Sequence, residues 1–363
     1  MKVHLGRVPV FVAAASLALG LAACGQAGES GGAGGKGDLR IGLLLPENET
    51  ARYEAFDRPL IEKKIKQLCG SCTVMYANAG NDVATQRQQV SAMITQGVDA
   101  LILDAVDLQA LRPSVTEAED ADVPVVAYDR EVEGPISGYV SHDILAIGRL
   151  QGQALLKARG DKADGGQIVR VEGPPGPGAV LFKEGVLPVL KDKVRISKPY
   201  HATAWNAGSA YAAMSGAIAA VGADHIDGVW TANDVLAGGV ISSLKTARIT
   251  PLPPVVGQDA ELAAVQRIIV GDQYMTVYKP YKPEAAAAAT MALALARGEK
   301  LDHIATERIN TPTTKSIPAV LLTPISLTVR NIKNTVVRDG VYTINQICTP
   351  KFQSACKKAG LIP

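Results

Sequence analysis

Residues 73–103, TVMYANAGNDVATQRQQVSAMITQGVDALIL, decide the fold. Thr73 to Tyr76 is a short strand-like run, Val83 to Gly97 a longer helical stretch, and Ala100 to Leu103 a second apolar run. Strand, helix and strand in that order make a βαβ unit, with parallel strands and a right-handed crossover. The alternation extends outward on both sides: Leu39 to Leu45 precedes it and Val123 to Tyr128 follows. A second series comprises Gln167 to Val171, Val194 to Ser197, Gly228 to Thr231, Pro254 to Gly257 and Met275 to Tyr278. Helical patterning fills Ile144 to Ala158, Ala207 to Val221 and Glu284 to Arg297. Roughly 320 residues of this pattern exceed what one sheet organises, so an α/β protein of two doubly wound parallel-sheet lobes is predicted.

The chain has 363 residues, with 37 Lys and Arg against 35 Asp and Glu. The excess resides at the N-terminus, on Lys2 and Arg7, with no acidic residue before Glu29. A near-neutral body without a basic stripe argues against nucleic-acid binding, which needs clustered cations to displace counterions. Residues 1–23 read as a secretory leader: Lys2 and Arg7, an apolar run from Val8 to Leu21, then Leu21-Ala22-Ala23-Cys24. The run is too short to span a membrane and ends in small residues, as a cleavage site does. Leu-Ala-Ala-Cys resembles the bacterial lipobox, so Cys24 is expected to carry lipid and hold the protein at the outer face of the membrane. Residues 24–37 are then the lipidated cysteine and a glycine-rich tether. Gly32, Gly34 and Gly37 have G-x-G-x-x-G spacing, but they precede a strand instead of following one, so no dinucleotide site is expected.

Four cysteines remain, Cys69 and Cys72 as C-x-x-C and Cys348 and Cys356 near the C-terminus. Outside the cytoplasm an even number points to two local disulfides, 69–72 and 348–356. A redox motif would place its first thiol at a helix N-terminus, whereas this pair closes a helix; zinc would need further ligands nearby. The remaining histidines, His142, His201, His225 and His303, show no metal spacing. H-E-x-x-H and the phosphate-binding loop motif are absent, and G-x-S-x-G occurs just in the glycine-rich tether (Gly28 to Gly32), with no strand before it, so neither an enzyme nor a cofactor is expected.

In open α/β sheets ligands sit beyond the carboxyl ends of the strands. Arg52 and Tyr53 follow the first run, Asp129 and Arg130 the fourth; Asn233 and Asp234 follow Thr231, Gln258 and Asp259 follow Gly257, and Lys279 follows Tyr278. Trp205 lies after Pro199-Tyr200, and Lys183 just beyond the Gly/Pro loop 173–178. Each has an ordinary alternative, since Asp and Asn after a strand often cap the next helix. Together, planar fork donors, amides, carboxylates and a flat aromatic suit a small polyol, gripping adjacent hydroxyls while an indole covers the apolar ring face.

At these residues the chain resembles the periplasmic sugar-binding proteins of ABC transporters, and among them the D-xylose-binding proteins. The resemblance is carried by Gly257-Gln258-Asp259-Ala260-Glu261-Leu262, Met275-Thr276-Val277-Tyr278-Lys279-Pro280, Leu321-Leu322-Thr323-Pro324-Ile325, Val126-Ala127-Tyr128-Asp129-Arg130 and Asn331-Ile332-Lys333-Asn334-Thr335-Val336. It implies two lobes joined by three crossovers, closing on one monosaccharide, D-xylose or a similar aldose, for delivery to a permease and its ATPase. It implies ligand contacts from Arg52, Arg130, Asn233, Asp259 and Lys279, an aromatic at Tyr53, and Trp205 stacked on the sugar ring. Lys183 stands where the family has Arg, a point charge in place of a fork. The loop 173–178 replaces an Asp/Asn-rich one. A monomer is expected, with residues 38–141 and 277–308 in one lobe and 142–276 and 309–363 in the other. The rival reading is a secreted receptor for a sugar or an autoinducer that feeds a sensor kinase.

Overall fold

The computed structural model describes residues 38–160, 165–174 and 177–363, the side chains of 177–179 excepted. The expected leader, Cys24 and the tether lie outside the described residues, as does the middle of the Gly/Pro loop. Among the described residues thirteen strands form two sheets. The first contains β1 (Arg40–Leu45), β2 (Thr73–Asn78), β3 (Ala100–Leu103), β4 (Val125–Tyr128) and β5 (Gly138–His142). The second contains β6 (Gly166–Glu172), β7 (Val194–His201), β8 (Gly228–Thr231), β9 (Val255–Gln258) and β10 (Met275–Tyr278). Late in the chain β11 (Glu307–Ile309) and β12 (Ile317–Leu322) return to the first sheet, and β13 (Ile325–Leu327) to the second.

The strand orders are β11-β12-β5-β4-β3-β1-β2 and β13-β10-β9-β8-β6-β7. Pairing is parallel except for the edge strands β11 and β13. Helices α1 (Arg58–Leu68), α2 (Val83–Thr95) and α3 (Arg112–Asp120) serve the first lobe; α4 (Ile144–Arg159), α5 (Pro177–Leu190), α6 (Ala207–Val221), α7 (Asp234–Thr246) and α8 (Leu262–Val270) serve the second. Every residue of β3, β4, β8, β9 and β10 is buried, as expected of strands covered on both faces by helices. Their starts are written locally: Asp82, Asp143, Asn206 and Asn233 cap α2, α4, α6 and α7 through side-chain oxygens.

The chain crosses between lobes three times: after β5 into α4, after β10 into α9 (Tyr281–Ala296), and between β12 and β13. Alanines of α9 (Ala285, Ala288, Ala289, Ala292) share a core with Leu43, Ile61 and Val140, so this helix belongs to the first lobe. The third crossing corrects the expected boundary at 308/309. Val320 is in register with Val140 of β5, which keeps the chain in the first sheet until Leu322. Strands β5 and β12 escape a reading by apolar runs because Gly138, Ser141, His142 and Pro318 interrupt them.

Both disulfides form, Cys69–Cys72 and Cys348–Cys356. The first closes α1, where the Cys69 N–H donates to the Ile65 carbonyl at 2.8 Å. The second pins the C-terminal tail, whose Tyr342, Ile347 and Leu361 pack with Val265 and Ile268 of α8. Helices α4 and α5 approach unusually closely. A Cβ on Gly148 would lie 2.4 Å from the Phe182 carbonyl, and one on Gly185 2.4 Å from that of Leu145. That contact fixes which residues of α5 face the cleft.

Candidate ligand-binding site between the lobes

A cavity of about 330 Å³ opens between the carboxyl ends of the two sheets. Of the sequence-predicted residues, Tyr53, Arg130, Trp205, Asn233, Asp259 and Lys279 line it. Arg52 and Lys183 do not.

Arg52 lies beneath the floor, 1% exposed. Its Nε donates to Asp57 at 2.7 Å, Nη1 to Asp129 at 2.7 Å and Nη2 to Glu284 at 2.7 Å. With each nitrogen engaged by a buried carboxylate, it acts on the cavity through Asp129. Lys183 is adjacent to the right residue: Phe182 lines the cavity instead. Consecutive helical residues point about 100° apart, so the side chain next to an inward-facing one is turned away.

On the first-lobe side a π-helical turn, Tyr53–Asp57, brings Tyr53 to the cavity. The Tyr53 hydroxyl donates to Asp129 Oδ2 at 3.3 Å, and the Arg130 guanidinium lies 5.6 Å from its ring centroid. Arg130 is steered by Glu47 at 3.5 Å and Asp104 at 3.6 Å. Asp129 has a left-handed backbone, φ 53°, which Asp tolerates better than most residues. Its carbonyl accepts from the hydroxyls of Tyr139 and Ser141. Burial alone would raise the Asp129 carboxyl; Arg52, Lys279 and Arg130 instead hold it far below the ordinary carboxylate range.

Lys279 joins the two walls. Its Nζ lies 3.1 Å from Asp129 Oδ1 and 2.9 Å from Asp259 Oδ1. Burial would strip its proton, but those two carboxylates reverse the effect and raise its pKa. Asp259, with φ 96°, is held by its N–H donating to the Val277 carbonyl and by the Tyr281 hydroxyl donating to its own carbonyl. Asn233 caps α7 through Oδ1, which accepts from the Leu236 N–H at 3.0 Å and leaves the amide NH₂ for the cavity. Gln258 Oε1 is buried without a hydrogen-bond partner among the described residues, an acceptor suited to a ligand hydroxyl. Trp205 lies against the backbone of Gly173, where a Cβ would come within 2.2 Å of the indole.

The structure adds residues the sequence reading missed. Asp129 was legible as a strand-end residue but resembled a capping residue. Glu172, the last residue of β6, lies one position past the expected strand end and also lines the cavity. Trp230, within β8, is 2% exposed yet borders the cavity, its indole N–H donating to Gln151 Oε1 at 2.7 Å. Among the described residues no group of His, Cys, Asp and Glu is arranged to hold a metal, and no helix is long and apolar enough to cross a membrane.

Residues 41–300 match the family model described as periplasmic binding protein domain. The chain belongs to the periplasmic binding protein family. This periplasmic binding protein is 33% identical over 316 residues to the D-xylose-binding periplasmic protein of Haemophilus influenzae, covering 85% of this chain and 92% of that protein. It is also 33% identical to the D-xylose-binding periplasmic protein of Escherichia coli, over 85% of this chain and 93% of that one. Among solved structures it is similar to an ABC transporter solute-binding protein of Clostridium phytofermentans with bound β-D-glucose. The TM-score is 0.78 at 25% identity, over 85% of this chain and 99% of the other. The family is one of binding proteins, not of enzymes. The two doubly wound α/β lobes expected from the sequence are observed, in the type I periplasmic binding protein fold.

Proposed function

We propose that this periplasmic binding protein captures one neutral monosaccharide between its lobes, as a monomer, and delivers it to an ABC permease and its ATPase. The observation that carries this reading is the convergence of Arg130, Asn233, Asp259 and Lys279 with the Trp205 indole on one cavity. Planar donors and acceptors pair with adjacent hydroxyls, and the indole covers the C–H face of a pyranose ring. Closure of the lobes is driven by contacts the sugar makes with both walls at once, since a ligand shifts a conformational equilibrium only through differential contacts. Relatives named for D-xylose and a structural neighbour holding β-D-glucose support an aldose, with D-xylose as the first candidate. Cys24 carries the lipid in this reading, and Cys24→Ala would move the protein from the membrane fraction to the medium.

The test is calorimetry against pentoses and hexoses with the wild type, Asp259→Ala and Trp205→Ala. Micromolar or tighter binding of at least one aldose is expected, weakened about 30-fold or more in each variant, with near-wild-type melting. Unchanged affinity in both variants would remove the cavity from the mechanism.

A further inference from the structure

Phe56 stands apart in the apolar cluster that joins α8 to the C-terminal tail. Among the described residues every other member of that cluster lies between Ala260 and Ile362, whereas Phe56 comes from the turn after β1. Its ring meets that of Tyr342, in the tail, edge-on with 5.7 Å between centroids, and stacks on Tyr281 at 5.0 Å and 14°. Each end of this contact is held by its own lobe. Phe56 sits in the π-helical turn Tyr53–Asp57, whose first residue lines the cavity and whose last accepts from Arg52 Nε at 2.7 Å. Such turns recur at functional sites. Tyr342 follows a second π-helical turn, Lys333–Val337, and its N–H donates to the Val336 carbonyl at 3.2 Å. Ile347, Cys348, Cys356 and Leu361 are buried in the same cluster, so the disulfide that pins the tail also seats the ring. Between the two, Tyr281 at the start of α9 donates its hydroxyl to the Asp259 carbonyl and has the Arg52 guanidinium 5.1 Å from its ring centroid. None of the three rings lines the cavity, yet together they join Tyr53 and Arg52 of one wall to Asp259 of the other.

We propose that Phe56 and Tyr342 form an aromatic latch between the lobes, holding the closed arrangement in which Lys279 reaches both Asp129 and Asp259. Both are positioning residues, and the tail stapled by Cys348–Cys356 is the part of the second lobe that presents the latch. This rests on the reading of the cleft as one that closes on a sugar. Phe56 moves with the first lobe and Tyr342 with the second, so opening parts the rings. An edge-to-face aromatic pair adds attraction beyond the area it buries. A contact made only in the closed state raises affinity for any ligand that needs closure, through the population of that state.

Calorimetry and stopped-flow measurement of sugar release test it, with D-xylose, D-glucose, D-galactose and L-arabinose as ligands. Phe56→Leu and Tyr342→Leu keep apolar bulk and remove a ring. Each is expected to weaken binding about 3- to 10-fold, chiefly by faster release. The factor should be the same for every sugar that binds, because neither ring touches the ligand. The double variant should lose no more than either single one, and Tyr342→Phe, which keeps the ring, should bind as the wild type does. Unchanged affinity in the folded Leu variants overturns the latch and leaves sugar binding standing. Additive losses in the double variant overturn the pairing of the two rings. A factor that varies between sugars by more than about twofold places the effect within the ligand site and overturns the latch. Absence of binding of all these sugars to the wild type overturns both readings. If one Leu variant does not fold, the other decides alone; Phe56 is only half-buried.

Discussion

The two walls of the cleft hold their polar groups in opposite ways. The first-lobe wall is an ionic lattice: Arg52 clamps Asp57, Asp129 and Glu284, and Arg130 is gripped by Glu47 and Asp104. The second-lobe wall is built of aromatic and aliphatic surface with single polar groups, Asn233, Gln258 and Asp259, each positioned by backbone geometry at a strand end. Lys279 is where the designs meet, shared between Asp129 and Asp259. A lattice of buried charges fixes orientation but fails together when one member is lost. A wall of packing surfaces tolerates more and discriminates by shape and hydroxyl placement.

Four substitutions or conditions probe this contrast. Arg52→Met should have the largest effect, because it leaves three buried carboxylates without their cation. A loss of about 3–5 kcal/mol in urea unfolding is expected, together with loss of sugar binding as Asp129 and Lys279 lose their geometry. Wild-type stability in this variant would mean that the lattice is not what holds the wall. Gly173→Ala comes next. Its Cβ pushes the Trp205 ring off its seat, so affinity should fall about tenfold while unfolding free energy stays within roughly 1 kcal/mol. Equal affinity would show that the indole plane is set elsewhere.

Buried carboxyls shifted down and up should also answer pH with opposite signs, and the first lobe holds both kinds, since burial raises Asp57 to about 6 and also raises Asp104. In the first lobe, Asp129 and Glu284 sit below their ordinary range: burial opposes this, and Arg52 chiefly imposes it. Their contribution is present above the unfolded carboxylate pKa and is lost as pH falls through the depressed folded values. In the second lobe, burial pushes Asp234 up to about 7 and Glu261 up to about 8, with Asp259 adding to both. Their contribution is fully present below the unfolded pKa and is lost as pH rises through 7 to 8. Unfolding free energy should therefore peak near the unfolded carboxylate pKa, at roughly pH 4, and Asp234→Asn should flatten only the alkaline limb. A limb unchanged by that variant would shift the titration to another group. Lys183→Ala marks the small end: an affinity change below about twofold by calorimetry, as expected of a partly exposed side chain off the cavity. A tenfold loss would put the lysine back among the ligand groups.

Periodicity and strand-end position made much of this legible. Strands β3, β8 and β10 and helix α6 coincide with their predicted bounds, because continuous apolar runs and Asx caps are local properties of the chain. Six of the eight predicted ligand residues reach the cavity; Arg130, Asn233, Asp259 and Lys279 do so because they stand within two residues of a strand end, Tyr53 and Trp205 from the longer segments after β1 and β7. Arg52 and Lys183 failed on a quantity no local pattern carries, the direction of a side chain after its backbone is packed. Phe182 and Lys183 are equivalent in sequence, and only the contact of Gly148 with the Phe182 carbonyl decides which faces inward.

By itself, then, the order of residues determined the two-lobe α/β plan, both disulfides and the strand ends that border the cavity, all through short-range chemistry. Tertiary structure alone decided that β12 pairs with β5, that Arg52 is buried among carboxylates instead of lining the cavity, and that Trp230 and Phe182 line it. Those outcomes depend on groups far apart in the chain competing for the same buried space, and burial is assigned only when the whole fold closes.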